Sequence, residues 1–74
     1  MVSPREIFKE ALLVNASSIV LLHNHPSDDV MPSNNDLITT KNLIEAGILL
    51  NIKVIDHIII GKTKYYSLCE NGEI

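Results

Sequence analysis

The sequence holds one cysteine, no tryptophan, one phenylalanine, and six basic residues against nine acidic ones. A single thiol, Cys69, excludes an internal disulfide, so stability has to come from packing. The basic residues are scattered and the formal net charge is −3, which gives no general attraction to nucleic-acid phosphates. Tyr65 and Tyr66 lack the basic surroundings of a stacking platform for single strands. No apolar run approaches the roughly 20 residues that span a bilayer, and the N-terminus reads as a helix start instead of a basic-then-apolar leader. These absences predict a soluble chain in a cytoplasmic setting, with no direct nucleic-acid or membrane partner.

What is present suits one small globular domain. Hydrophobic residues make up 46% of the 74 positions and charged residues 20%, which argues against disorder. A domain of this size buries only roughly 60% of the surface that its unfolded chain exposes, so its stability should be marginal.

Ser3-Pro4-Arg5-Glu6 reads as a helix start, with Ser3 as N-cap, Pro4 at the first helical position and Glu6 closing a capping box. The spacing of Ile7, Phe8, Ala11 and Leu12 predicts an amphipathic helix over 4–14, and Asn15 and Ala16 turn the chain. Residues 18–23 are a short, nearly continuous apolar run, read as a strand covered on both faces and ended by Pro26. After a polar loop from Ser27 to Pro32, Ser33-Asn34-Asn35-Asp36 repeats the cap pattern. It opens a second helix over 34–50, with Leu37, Ile44 and Ile48 on one stripe and Leu43, Ala46 and Leu50 beside it. Gly47 weakens the last turn of that helix. Residues 52–60 are rich in β-branched side chains and predict a second strand, joined through Gly61 to Lys64 to a third strand from Tyr65 to Cys69. The order α-β-α-β-β predicts an α/β fold with a mixed sheet, strands one and two parallel and strand three antiparallel to strand two.

The chemistry gathers at the end of the first strand. His23 and His25 are separated by one residue, and because strand side chains alternate in direction, both imidazoles project to one side while Asn24 points away. Zinc uses such a pair, and a catalytic site adds one further protein ligand. Asp36 is the natural third ligand, placed in the first turn of the second helix, where the helix dipole favours an ionised carboxylate. Each feature also has a plain structural reading. Histidines at strand ends often make ordinary backbone hydrogen bonds, and Ser33-x-x-Asp36 is accounted for by helix capping. The two readings of Asp36 can coexist. Asp56 and His57 alternate across the second strand, so they face opposite sides; a hydrogen bond from Asp56 to a metal-binding residue competes there with a structural role. Cys69 is most simply a small buried or edge residue.

The run His23-Asn24-His25-Pro26, followed after six residues by Ser33-Asn34-Asn35-Asp36, resembles the signature of the JAMM (MPN+) metalloproteases. The flanks Ser3 to Ala11 and Asp56-His57-Ile58-Ile59-Ile60-Gly61 resemble the RadC-like branch of that family, so the resemblance covers essentially the whole chain. It implies a Zn²⁺ ion held by His23, His25 and Asp36, water as nucleophile, and Ser33 near the scissile carbonyl as an oxyanion stabiliser. It also implies cleavage of amide or isopeptide bonds, and a glutamate acting as general base from a strand ahead of the first helix.

The sequence departs from the family pattern at that glutamate. Only Glu6 and Glu10 precede the histidines, and both fall within the first helix. The expectation is therefore an incomplete JAB/MPN, cytidine-deaminase-like, domain whose N-terminal strands are missing, impaired as a hydrolase and prone to pair with a second copy. Two other readings stand beside it: a non-catalytic MPN-type interaction module, and a DNA-repair-associated factor.

Overall fold

Asparagines end both helices in the same way. The computed structural model describes residues 3–74, and in it Asn15 and Asn51 adopt left-handed backbone angles with φ of 56° and 57°. The next amide in each case turns back onto the helix: Ala16 N–H donates to the Ala11 carbonyl at 2.9 Å, and Ile52 N–H to the Gly47 carbonyl at 2.8 Å. These are Schellman-type closures, which a short polar side chain tolerates at the left-handed position. They bound α1 (Pro4–Leu13) and α2 (Asn34–Leu50).

The elements follow in the expected order. Between the helices lies β1 (Ser18–Asn24), and after α2 come β2 (Lys53–Ile60) and β3 (Tyr65–Ser67). The sheet order is β1-β2-β3, with β1 parallel to β2 and β3 antiparallel to β2. The chain is thus α/β with a three-stranded mixed sheet, and it matches the predicted topology. The third strand is shorter than predicted, because the chain turns after Ser67 and leaves Cys69 exposed. None of the described helices is long and apolar enough to cross a membrane.

One irregularity sets the face of everything after it. The register moves from Ile19 opposite Val54 to Val20 opposite Asp56, so Ile55 is a bulged residue without a partner. An extra residue reverses side-chain parity downstream. Val54, His57 and Ile59 consequently all come to the covered face, whereas strict alternation from Val54 would have turned His57 outward.

Two apolar clusters hold the sheet and helices together. Phe8, Ala11, Leu43, Ile52 and Val54 form the larger one, between α1, α2 and the sheet. Val30, Ile59 and Leu68 form the other, which pins the loop ahead of α2 to the same covered face, beside the end of β3. Full burial of a Leu or Ile contributes about 1.5–3 kcal/mol, so Leu43, Ile59 and Leu68 are the main single contributors.

Four readings are corrected. The capping box at Ser3 does not form: Ser3 is the N-cap, but its side chain accepts no hydrogen bond. Pro4 already fixes the first helical φ, and a cap bond from an exposed side chain to an exposed backbone N–H gains little. The helix also ends one residue early, at Leu13. The first strand is covered on one face only, since Val20 and Leu22 are 49% and 66% exposed. On α2 the buried positions are Asp36, Thr40, Leu43 and Gly47, whereas Ile48 is 72% exposed. The helix is rotated from its most apolar stripe so that two polar residues face the sheet. Gly47 is required there, because a Cβ at that position would overlap the Ile52 carbonyl oxygen.

Candidate metal centre

Two elements deliver the three side chains. His23 lies in the last turn-in of β1, on the face it shares with Ile19 and Leu21, and His25 follows just beyond the strand end. The His25 amide still donates to the Ile60 carbonyl at 3.0 Å, which carries strand geometry one residue further and keeps both rings on one side. Their ring centres are 4.8 Å apart and nearly perpendicular.

Asp36 arrives from α2. Its N–H donates to Ser33 Oγ at 3.1 Å, and its Oδ2 accepts the Ser33 N–H at 2.8 Å. This is a complete capping box, so the expected local reading of Ser33 and Asp36 holds. The same carboxylate faces the histidines, with Oδ1 3.1 Å from His23 Nδ1 and Oδ2 3.4 Å from His25 Nε2. Capping and convergence on the histidines coexist in one side chain. Burial pushes the Asp36 carboxyl up, but the hydrogen bonds from Ser33 and the nearby histidines outweigh it and hold the group below the ordinary carboxylate value.

The loop that returns Asp36 is itself fastened. Asp28 accepts hydrogen bonds from the backbone and hydroxyl of Thr63, and Val30 is buried against Ile59 and Leu68. His25 Nδ1 lies 2.8 Å from the Asp29 carbonyl oxygen. A carbonyl can only accept, so Nδ1 carries the proton and Nε2 presents its lone pair to Asp36 when the ring is neutral. Two acceptors then face one another across 3.4 Å. Either a second proton on the imidazole or a cation between the groups resolves that opposition.

Ligand atoms from His23, His25 and Asp36 all lie within 4.8 Å of one another. Two imidazoles and one carboxylate are a donor set that suits a divalent transition ion, zinc above all, and a ring nitrogen that donates to a carbonyl while its partner ligates is the usual support for such a histidine. The residues present therefore fit the metal. Ser33 is exposed at the mouth of the cap, and because its Oγ accepts from Asp36 its own proton remains available to donate. A cavity of ≈180 Å³ adjoins the triad, lined among others by Leu22, Asn35, Thr39 and His57.

Two residues near the centre were not recognised from sequence. Thr40 Oγ1 donates to the Asp36 carbonyl at 2.7 Å and lies 2.6 Å from His57 Nδ1. The His57 ring is stacked on that of His23, with centroids 5.8 Å apart and an interplanar angle of 21°. The sequence signal for His57 was its place in a β-branched strand, and only the bulge at Ile55 decides which side it takes. Asp56 points the other way, accepting from the Ser67 hydroxyl and the amides of His57 and Cys69. Its role is structural, and no hydrogen bond joins it to the triad. Glu6 and Glu10 are exposed on α1, beside Ala11 and Val20 rather than at the cavity.

A two-helix, mixed-sheet α/β chain with a His-x-His strand end and a capped helical aspartate defines the class of JAB-type domains. The match to known proteins is specific: the family model for the RadC-like JAB domain covers residues 1–73. The chain is 54% identical to a UPF0758 protein of Bacillus cereus (strain B4264) over its full length. It is 56% identical over 72 residues to a UPF0758 protein of Listeria monocytogenes serotype 4b and 51% identical over 72 residues to one of Staphylococcus carnosus, covering 97% of this chain in each case. It spans about a third of the length of these relatives, 33% of the first and 32% of the other two. This chain belongs to the RadC-like JAB domain family.

Proposed function

We propose that the chain carries the metal-binding portion of a zinc-dependent hydrolase site acting on amide or isopeptide bonds. The observation that carries the reading is the convergence of His23, His25 and Asp36 within 4.8 Å. When bound, zinc supplies Lewis acidity, polarising a carbonyl and acidifying water. The protein's own groups do the positioning. Asp29 holds His25 in the tautomer that leaves Nε2 free, the Ser33 cap keeps Asp36 ionised and aimed, and the Ser33 hydroxyl stands where it can donate to a developing oxyanion.

Among the described residues no glutamate joins the triad, so the general-base function that the family resemblance implies has no group here to perform it. Acid–base assistance is worth about 10²- to 10⁴-fold. This chain alone should therefore hydrolyse an amide substrate weakly or not at all. The second reading, a non-catalytic interaction module, is favoured by one observation, the uncovered face of β1 at Val20 and Leu22.

The test has two parts. Purified chain should take up one zinc per molecule by equilibrium dialysis and metal analysis, and His23→Ala with His25→Ala should abolish it; unchanged zinc content in the double variant would remove the site assignment. A segment bearing the family's glutamate, joined ahead of α1, should then raise hydrolysis by the order given above, and Gln in place of that glutamate should reverse the gain. An interaction module would gain nothing from either form.

A further inference from the structure

The triad spans two elements that do not touch through it: the histidines belong to the end of β1 and the aspartate to the first turn of α2. Something has to set the spacing between helix and strand before any ion arrives. The structure places His57 and Thr40 there. Thr40 is one turn after Asp36 on the buried face of α2, and His57 is on β2, directly beside β1 in the sheet. Both are almost fully buried, at 2% and 5% exposure.

The hydrogen-bond count assigns the protons. A threonine hydroxyl has one proton, and here Thr40 Oγ1 donates it to the Asp36 carbonyl at 2.7 Å. The 2.6 Å contact between Thr40 Oγ1 and His57 Nδ1 then has to be made by the imidazole N–H. A relay runs from the His57 Nδ1–H to the Thr40 hydroxyl and on to the Asp36 backbone, tying the first turn of α2 to β2. On its other side the His57 ring lies nearly flat against His23, 5.8 Å between centroids. One buried side chain thus reaches both halves of the site, the Asp36 backbone through Thr40 and the His23 imidazole through stacking.

We propose that His57 and Thr40 are positioning residues that pre-set the distance between Asp36 on α2 and His23 on β1, and so fix the geometry of the metal centre. The proposal rests on the reading of that centre as a metal site and deepens it. Partners of this kind around metal ligands typically matter by 10- to 100-fold in affinity. A buried polar pair that served the fold alone would leave the geometry at the ion untouched.

Cobalt(II) is the probe, because its d–d absorption reports ligand geometry independently of turnover. Thr40→Val, similar in shape but without the hydroxyl, should bind cobalt 10- to 100-fold more weakly than the unaltered chain and with a shifted d–d band. Thr40→Ser should restore both. His57→Phe, which keeps a flat ring beside His23 but removes the donor, should behave as Thr40→Val does. A folded Thr40→Val chain with unaltered cobalt affinity and spectrum would overturn the proposal. Long-range ¹H–¹⁵N NMR on the metal-free protein at about pH 8 gives a separate arm: His57 should be the Nδ1–H tautomer, and should lose that preference in Thr40→Val. An Nε2–H tautomer in the unaltered chain would also overturn it. If the unaltered chain binds no cobalt, the metal reading fails, and the tautomer result still decides whether the relay exists.

Discussion

Asp28 and Thr63 are joined across 35 positions of sequence, the carboxylate of one accepting both the amide and the hydroxyl of the other. This link ties the loop that follows the histidines to the β2–β3 hairpin, next to Gly61, where a Cβ would stand 2.7 Å from the Asp28 carboxylate. The Thr63 hydroxyl is the main reason that the Asp28 carboxyl sits below its ordinary value. Thr63→Val should let that carboxyl titrate closer to normal and should speed amide exchange over residues 28–31 while both helices stay protected. Carbon-detected NMR titration and hydrogen exchange measure these; unchanged exchange in the loop would mean that Val30 alone anchors it.

Asp36 does two jobs that substitutions can separate. Asp36→Asn keeps an oxygen to accept the Ser33 N–H but loses the charge facing the histidines. Asp36→Ala loses both while its own N–H still reaches Ser33 Oγ, and the missing return bond of the capping box should cost about 0.5–1.5 kcal/mol. Both variants should lose zinc, yet only the alanine variant should unfold measurably earlier in urea. Equal destabilisation by the two would show that the cap contributes little and that the charge dominates.

Acid should destabilise the metal-free chain in two stages. Burial, with the neighbouring His23 adding to it, holds the His57 imidazole below its ordinary value of 6.5. The folded chain therefore resists a proton that the unfolded chain accepts, and stability present above about pH 6.5 is lost as the pH falls through the lowered value. Asp56 has the opposite chemistry and the same outcome at lower pH. Burial raises its carboxyl, but hydrogen bonds from Ser67, Cys69 and His57 outweigh that and hold it below 3.8. Its contribution persists above that value and is lost below it. Thermal melts from pH 8 to pH 2 should show both declines; His57→Phe should flatten the first, and Asp56→Asn should lessen the second, to which Asp36 and Asp28 also contribute.

The two edges of the sheet differ, and the difference predicts self-association. β3 is three residues long, with Lys62, Lys64 and Glu70 close by. β1 is seven residues long, carries no charged residue or proline, and leaves Val20 and Leu22 exposed. Edge strands of the second kind pair readily with another chain. A second copy added at β1 should give a dimer in sedimentation velocity at micromolar concentration, and Val20→Lys with Leu22→Lys should return it to monomer. A chain that stays monomeric at high concentration would reject this surface as an interface.

The sequence by itself determined the elements and the three side chains of the candidate metal centre. Turn formers, β-branched runs and the Ser33 cap placed the strands and the second helix, because these preferences act over a few residues. The period-two alternation of a strand put His23 and His25 on one side, and the cap put Asp36 at a helix start. What only the tertiary structure decided is which face each element buries. Apolar content pointed to the wrong stripe of α2, because the cost of turning Thr40 and Asp36 inward is offset by partners on other elements that no local pattern reveals. Likewise the bulge at Ile55 arises from how β1 and β2 pair, and it alone turned His57 from the outer face of the sheet to a place against His23.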